Sequence, residues 1–441
     1  MTSAAELLER IRSRRALVGV VGLGYVGLPL ARAFMDAGFR CLGYDADASK
    51  IERLQRGESY IGHVPHEWIA DSVAAGRFVP TADPARLAEP DAILICVPTP
   101  ITADREPDLQ YVEGTARTLA SALRNGQLIV LESTTYPGTT RNVVLPLLEK
   151  SGRQVGRDFW LAYSPEREDP GNPRHGTRGI PKVIGGIDLF ARDLAVALYE
   201  QVVVQTVPVA DCETAEACKL LENVYRAVNI AMVNELKTVF DRLGVNIWDV
   251  IEAAKTKPFG FQAFYPGPGM GGHCIPVDPF YLGWIARRHG AAARFIELAG
   301  DINNEMPGYV VAKTVEALHA RGKSLSGARV LLLGAAYKKD VDDPRESPFF
   351  KLLELLVAAG AEVAYHDPHI ARLPTMRHYS HPPLASLPLH AQTLAAFDVA
   401  LIVTDHSAVD YALVVEHSPL VIDTRNVTAE LRAGRTNVVL A

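Results

Sequence analysis

Cys274 closes the glycine-dense run Gly267-Pro268-Gly269-Met270-Gly271-Gly272-His273 and stands four residues ahead of Asp278. Glycine has no Cβ, so a string of glycines lets backbone N–H groups approach a phosphate or a developing oxyanion closely. A thiol there can attack an electrophilic carbon once ionised; with an unperturbed pKa of about 8.5 it would be helped by a nearby cation or by N–H dipoles. The plain alternative is a small buried hydrophobe, and the loop alone leaves both readings open. Lys219 and Asn223 are four residues apart in a helix-compatible stretch and so share a face, beside an apolar stripe of Leu220, Val224, Ala227 and Ala231. A lysine and an amide next to a thiol loop make an oxyanion-stabilising cluster, whereas most lysines snorkel from a surface helix, and periodicity does not choose between the two.

The elements that would position such groups are legible around them. Leu17-Val18-Gly19-Val20-Val21 reads as an apolar strand, followed at once by Gly22-x-Gly24-x-x-Gly27 and a helix-compatible stretch from Leu28 to Ala37. In this order the first glycine permits the turn, the second lets a pyrophosphate come close, and the third lets helix pack on strand. A second strand, Cys41-Leu42-Gly43-Tyr44, ends at Asp45, placed to accept both ribose hydroxyls and repel a 2′-phosphate, which favours NAD over NADP. The strands at 91–97 and 127–133 run into Pro98-Thr99-Pro100 and Thr134-Thr135-Tyr136-Pro137-Gly138, turns of the kind that hold ligands in doubly wound sheets. A long helix is expected from a cap near Asp211 through Arg242, stopped at Gly244, spanning roughly 48 Å.

The last third of the chain repeats the first. Arg329 to Gly334 echoes the first strand, Glu362 to Asp367 echoes the strand ending at Asp45, Asp398 to Thr404 echoes 91–97, and Leu420 to Arg425 echoes 130–135, yet the glycine fingerprint is missing after Gly334. A second nucleotide-binding-like sheet is therefore expected, holding something other than the dinucleotide pyrophosphate. Lys338, Lys339, Arg345 and Arg425 at its strand ends suit phosphate, although charges on loops are commonly just solvated.

These pieces together resemble the UDP-glucose/GDP-mannose dehydrogenase family along nearly the whole chain. The matching motifs, in order, are Gly22-x-Gly24-x-x-Gly27, Val97-Pro98-Thr99-Pro100, Glu132-Ser133-Thr134, Ser164-Pro165-Glu166-Arg167, Lys219-x-x-x-Asn223, Gly271-Gly272-His273-Cys274-x-x-x-Asp278, and Lys338-Lys339-Asp340 with Arg345-Glu346-Ser347. Ser164 to Asn172, Thr256 to Phe261 and Phe264 to Gly267 look most like the bacterial UDP-N-acetylglucosamine 6-dehydrogenases of surface-polysaccharide (lipopolysaccharide) synthesis. The implied fold is α/β, with two Rossmann-like doubly wound parallel-sheet domains joined by a long central helix. Residues 1–209 would bind NAD, 210–322 would form a helical dimerisation domain with the cysteine loop, and 323–441 would bind the UDP-sugar. The implied reaction is a four-electron oxidation of the sugar C6 alcohol to a carboxylate, using two NAD and a Cys274 thiohemiacetal and thioester.

The resemblance also assigns roles. Lys219 and Asn223 would polarise the C6 oxygen, Asp278 and Glu166 would handle protons and activate water, and Thr134 would help hold that water. Gly22, Gly24, Tyr25, Val26, Gly27, Asp45, Pro98, Thr99, Thr134 and Arg345 would contact NAD. Arg167, Lys219, Asn223, Tyr265, Gly267, Gly271, Lys338 and Arg425 would contact the substrate. Relatives often carry an arginine about fifteen residues before the cysteine that reaches the neighbouring subunit; none occurs between Arg242 and Arg287 here, leaving Lys255 or Lys257 to take its place. A homodimer through the long helix, or a higher oligomer, is expected.

Composition narrows the rivals. A net charge of −6 with 22% charged residues gives no basic footprint for nucleic acid, no apolar run approaches a membrane span, and the N-terminal segment reads as a charged amphipathic helix, so a cytoplasmic location is expected. Five cysteines without metal-ligand spacing point to reduced thiols and to no metal site. UDP-glucose and UDP-N-acetylgalactosamine are the alternative substrates, and a non-catalytic NAD-binding regulator would leave Cys274, Lys219 and Asp278 unexplained. A sugar epimerase would need a Tyr-x-x-x-Lys couple near the cofactor; Tyr309-x-x-x-Lys313 matches the pattern but lies far from the glycine turn in sequence.

Overall fold

The computed structural model describes residues 4–62, 64–102, 104–167, 177–272, 275–376 and 379–441. The chain divides into two compact units, Met1–Glu222 with Phe280–Ala292, and Asn223–Pro279 with Ala293–Ala441.

The first unit is built on an eight-stranded sheet of β1 (Leu17–Val21), β2 (Arg40–Tyr44), β3 (Phe78–Thr81), β4 (Ala92–Ile95), β5 (Gln127–Leu131), β6 (Phe159–Tyr163), β7 (Lys182–Gly186) and β8 (Thr206–Pro208). Its order is β3-β2-β1-β4-β5-β6-β7-β8, the Rossmann order extended by two strands. All neighbours pair in parallel except β6 and β7. The strands are apolar on both faces because both faces are covered: Val18, Val20, Ala92, Leu94, Leu128 and Val130 enter one core, while Val21, Ile93, Ile95, Ile129 and Leu131 enter another.

The second unit holds a five-stranded, all-parallel sheet of β9 (Arg329–Leu333), β10 (Glu362–His366), β11 (Val399–Ile402), β12 (Val421–Asp423) and β13 (Val438–Leu440), in the order β10-β9-β11-β12-β13. The expected repeat extends to individual hydrogen bonds. Gly22 N donates to Tyr44 O at 2.8 Å and Gly334 N to His366 O at 2.9 Å, and both glycines have φ +89. Leu23 N donates to Asp45 Oδ2 at 2.9 Å, and Ala335 N to Asp367 Oδ2 at 2.6 Å. A Cβ at Gly22 would lie 2.7 Å from Cys96 O, and one at Gly334 would lie 2.5 Å from Thr404 O, so both turns demand glycine for the same two reasons.

The long helix runs Cys212–Arg242, 31 residues, with Asp211 Oδ1 accepting from Thr214 N at 2.8 Å as its cap and Gly244 at φ +68 just beyond its end. Its residues through Glu222 belong to the first unit and the rest to the second. The fold is thus the expected α/β arrangement of two parallel-sheet domains with a long central helix.

Candidate active site

The glycine turn of the first unit fits a dinucleotide. At Gly24 a Cβ would meet nothing within 4 Å, which leaves open space for a phosphate, whereas a Cβ at Gly27 would lie 1.8 Å from Gly22 O, so that glycine serves helix–strand packing. The helix Gly27–Asp36 begins after Tyr25 and Val26 without a side-chain cap, so its N-terminus is available to an anion. Asp45 is 9% exposed; Oδ1 accepts from Asp47 N at 2.9 Å, and Oδ2 from Leu23 N at 2.9 Å and Lys50 Nζ at 3.2 Å. Thr99 and Pro100, in the turn with Pro98, receive the buried Tyr281 hydroxyl on their carbonyls, Pro100 O at 3.0 Å. Thr134 is half-buried in the turn after β5, and its neighbour Ser133 donates to Val97 O at 2.7 Å, tying two ligand-holding turns together.

In the same unit, Lys219 is 6% exposed and donates to Glu166 O at 2.5 Å, so it does not snorkel. Arg167 grips Glu222 through Nη2 at 2.6 Å and Nε at 3.2 Å and donates to Pro181 O at 2.6 Å. The sequence offered no signal for Lys182. It lies 2.5 Å from Glu132 and 4.0 Å from Glu166, on a strand whose partner residues are tens of positions away.

The second unit brings together another set. Asn223 Nδ2 donates to Asp278 Oδ2 at 2.5 Å, and both residues are 3% exposed. Cys274 and His273 lie outside the described residues. In the glycine run that precedes them in sequence, Gly267 N donates to Asn234 Oδ1 at 3.0 Å, and a Cβ at Gly267 would lie 2.6 Å from an Arg425 Nη1, so the glycine lets the guanidinium pack against backbone. At Gly271 a Cβ would sit 3.0 Å from Glu346 O, Pro348 Cδ and Tyr337 Cβ. Arg425 Nε donates to Val403 O at 2.8 Å, and burial pulls its guanidinium below the usual arginine range. Arg345 forms a two-pronged pair with Asp343 at 2.8 and 2.7 Å. Lys338 is half-buried in the loop after β9, and Lys339 is exposed, 3.8 Å from Asp405. Tyr265 is partly exposed, stacks on Trp248 and donates to Glu252 Oε1 at 2.7 Å. Lys255 pairs with Glu252, and Lys257 lies over the Phe259 ring at 5.1 Å.

Two rival features are accounted for inside the second unit. Tyr309 OH donates to Asp241 Oδ2 at 2.9 Å and Lys313 lies 2.9 Å from the same oxygen; burial and then Asp241 push the phenol up, the reverse of what a tyrosine base at neutral pH needs. Asp340, His369 and His406 offer ligand atoms within 4.8 Å of one another, but His406 Nδ1 accepts from Asp340 N at 3.0 Å and its Nε2 donates to Asp367 at 3.1 Å, leaving that imidazole no lone pair for a cation.

A glycine turn bonded to a carboxylate at the end of the second strand of a Rossmann-ordered sheet, accompanied by a second sheet of the same kind, defines a nucleotide-binding protein of the Rossmann type. The chain belongs to the UDP-glucose/GDP-mannose dehydrogenase family: the family's NAD binding domain matches residues 16–203, its central domain 213–305 and its UDP binding domain 331–430. NAD is its cofactor. The UDP-N-acetyl-D-mannosamine dehydrogenase of Escherichia coli K12 is 35% identical over 404 residues, covering 89% of this chain and 94% of that one. The UDP-N-acetyl-D-glucosamine 6-dehydrogenase of Pseudomonas aeruginosa is 34% identical over 392 residues, covering 88% and 90%. The solved UDP-D-ManNAc dehydrogenase of Pyrococcus horikoshii superposes with a TM-score of 0.85 at 31% identity, covering 96% of this chain and 98% of that one. Among the described residues no helix is long and apolar enough to cross a membrane.

Proposed function

We propose that this UDP-sugar dehydrogenase oxidises the C6 hydroxymethyl group of a UDP-N-acetylhexosamine to the carboxylate, with UDP-N-acetylglucosamine as substrate, in surface-polysaccharide synthesis. The observation that carries the reading is the buried Asn223–Asp278 pair at 2.5 Å, since packing alone would not bury these two polar groups together, and Asp278 follows Cys274 by four residues in sequence. NAD, when bound, accepts the hydride in each half-reaction. Lys219 and Asn223, one helical turn apart, polarise the C6 oxygen, and Asp278 takes its proton. The Cys274 sulfur adds to the C6 aldehyde as a thiohemiacetal; loss of the second hydride leaves a thioester, which water activated by Glu166 and held by Thr134 cleaves to the acid and the free thiol. Arg167, Tyr265, Gly267, Gly271, Lys338 and Arg425 hold the UDP-sugar, and Arg345 reaches the cofactor.

The relatives' names support a second substrate, UDP-N-acetylmannosamine. Purified protein incubated with NAD and each of UDP-N-acetylglucosamine, UDP-N-acetylmannosamine, UDP-N-acetylgalactosamine and UDP-glucose separates them by kcat/KM. Two NADH per sugar acid are expected; one NADH per sugar would refute the four-electron route, and a preference for another sugar would correct the substrate alone.

A further inference from the structure

Three strand ends converge on one cation in the first unit. β5 and β6 run in parallel, so their C-terminal ends carry Glu132 and the Ser164-Pro165-Glu166 turn side by side. β7 runs antiparallel to β6, which brings its first residue, Lys182, to that same end, and Ser164 Oγ donates to Val183 O at 2.8 Å to seal the join. The Lys182 side chain is 7% exposed, and an unpaired ammonium there would be prohibitively costly. Its charge is met on two sides: 2.5 Å away by Glu132 Oε2, whose side chain is wholly buried, and 4.0 Å away by Glu166 Oε2, whose side chain is 13% exposed. The second oxygen of Glu132 accepts from the Tyr199 hydroxyl, and Lys182 also lies 5.2 Å from that ring.

One carboxylate is therefore sealed and fully committed, while the other is the one with a path to solvent. Burial opposes the Lys182 charge, yet Glu132 and Glu166 hold the ammonium above the usual lysine value, so the cation persists across neutral pH. Among the described residues, charged and titratable groups around this arrangement include Tyr199, Cys96 and Lys219, the last on the Glu166 carbonyl rather than its carboxylate. A purely architectural role would be met by apolar side chains of similar volume, with no need for a third charge.

We propose that Lys182 is a positioning residue for the acid-forming half of the reaction: braced by Glu132 and Tyr199, it fixes the Glu166 carboxylate that activates water. The inference rests on the proposed role of Glu166. Three variants test it: Lys182→Arg, which keeps the cation; Lys182→Met with Glu132→Gln, which removes both buried charges together and so leaves none unpaired; and Glu166→Gln. The readouts are kcat and KM for conversion of the UDP-sugar aldehyde to acid. The double variant is expected to lose about tenfold or more in kcat while keeping KM for both ligands within about threefold, and Lys182→Arg is expected to keep most of the wild-type rate. A folded double variant with wild-type kcat overturns the inference while Glu166→Gln, if inactive, leaves the role of Glu166 standing. Full activity in Glu166→Gln overturns both, because Lys182 then has nothing to position.

Discussion

Cys274 is the residue on which the proposed chemistry turns, because only a sulfur adduct lets an aldehyde lose a second hydride without prior hydration. In Cys274→Ala, carboxylate production is expected to fall by roughly a thousandfold or more, while slow aldehyde or NADH formation survives. Near-normal acid production in that variant would show the thiol to be a packing residue. Asp45 is the residue proposed to set the cofactor preference: its carboxylate sits at the end of β2, where one oxygen accepts from Leu23 N and Lys50. The wild type is expected to use NAD in strong preference to NADP, and Asp45→Ala to narrow that ratio by about 10–100-fold. Comparable kcat/KM for the two cofactors in the wild type, or an unchanged ratio in the variant, would rule this out. Asp45 was singled out by its distance to the glycine turn, and its carboxylate does accept from Leu23 N in that turn; for Cys274 the glycines left a nucleophile and a buried hydrophobe both open, and the residue lies outside the described ones. Lys182 was not legible: Glu132, its partner, is 50 positions away, Tyr199 is 67 positions from the Glu132 carboxylate it bonds, and no local pattern announces a pairing that only the strand order creates.

At the scale of single elements, the glycine turn yields two opposite outcomes from similar substitutions. Gly24→Ala meets open space and should fold with the wild-type Tm while weakening NAD binding, whereas Gly27→Ala drives a Cβ into Gly22 O and should cost several degrees of Tm before any ligand is added. Equal stability losses in the two variants would mean the turn has been misread. The long helix offers a pH-dependent test. Glu216 accepts from Gly138 N at 2.6 Å, Thr140 N at 2.9 Å and Thr140 Oγ1 at 2.7 Å, binding the turn after β5 to the helix, yet burial pushes its carboxyl up to about 7. A folded-state value above the unfolded one means stability that is full below about pH 4.5 and is lost as the pH rises through about 7, on the order of 3 kcal/mol for this group. Denaturant unfolding at pH 5 and pH 8 should show that loss in the wild type and a smaller one in Glu216→Gln; parallel losses would place the pH dependence elsewhere. The strands, the helix end at Gly244 and the repeat were readable because apolar runs, glycines and caps are local signals, while the extra antiparallel β7 was not, since its pairing with β6 depends on which face remains open.

At the scale of the molecule, the helix Cys212–Arg242 leaves Tyr225, Met232 and Val239 exposed by 46%, 44% and 43%, seven residues apart in sequence, with Leu243 67% exposed beyond them. A stripe at that spacing suits a second helix, and it supports the homodimer proposed from the sequence. Met232→Glu with Val239→Glu is expected to convert a dimer to a monomer by light scattering; a wild type that is already monomeric would remove the proposal. The repeated sheets carry a last consequence. Asp45 and Asp367 occupy equivalent places, but Asp367 is completely enclosed, taking hydrogen bonds from the amides of Ala335, Ala336, His369 and Ile370 and from His406, and although burial opposes it, these donors pull its carboxyl down to about 2. The carboxylate that takes two backbone amides and a lysine in one copy is knotted by four amides and an imidazole in the other. In terms of hydrogen–deuterium exchange, those four amides should be among the slowest in their loops and should stay slow even in mildly acidic buffer, so that the duplicated hook survives in the second sheet as a latch that times its opening.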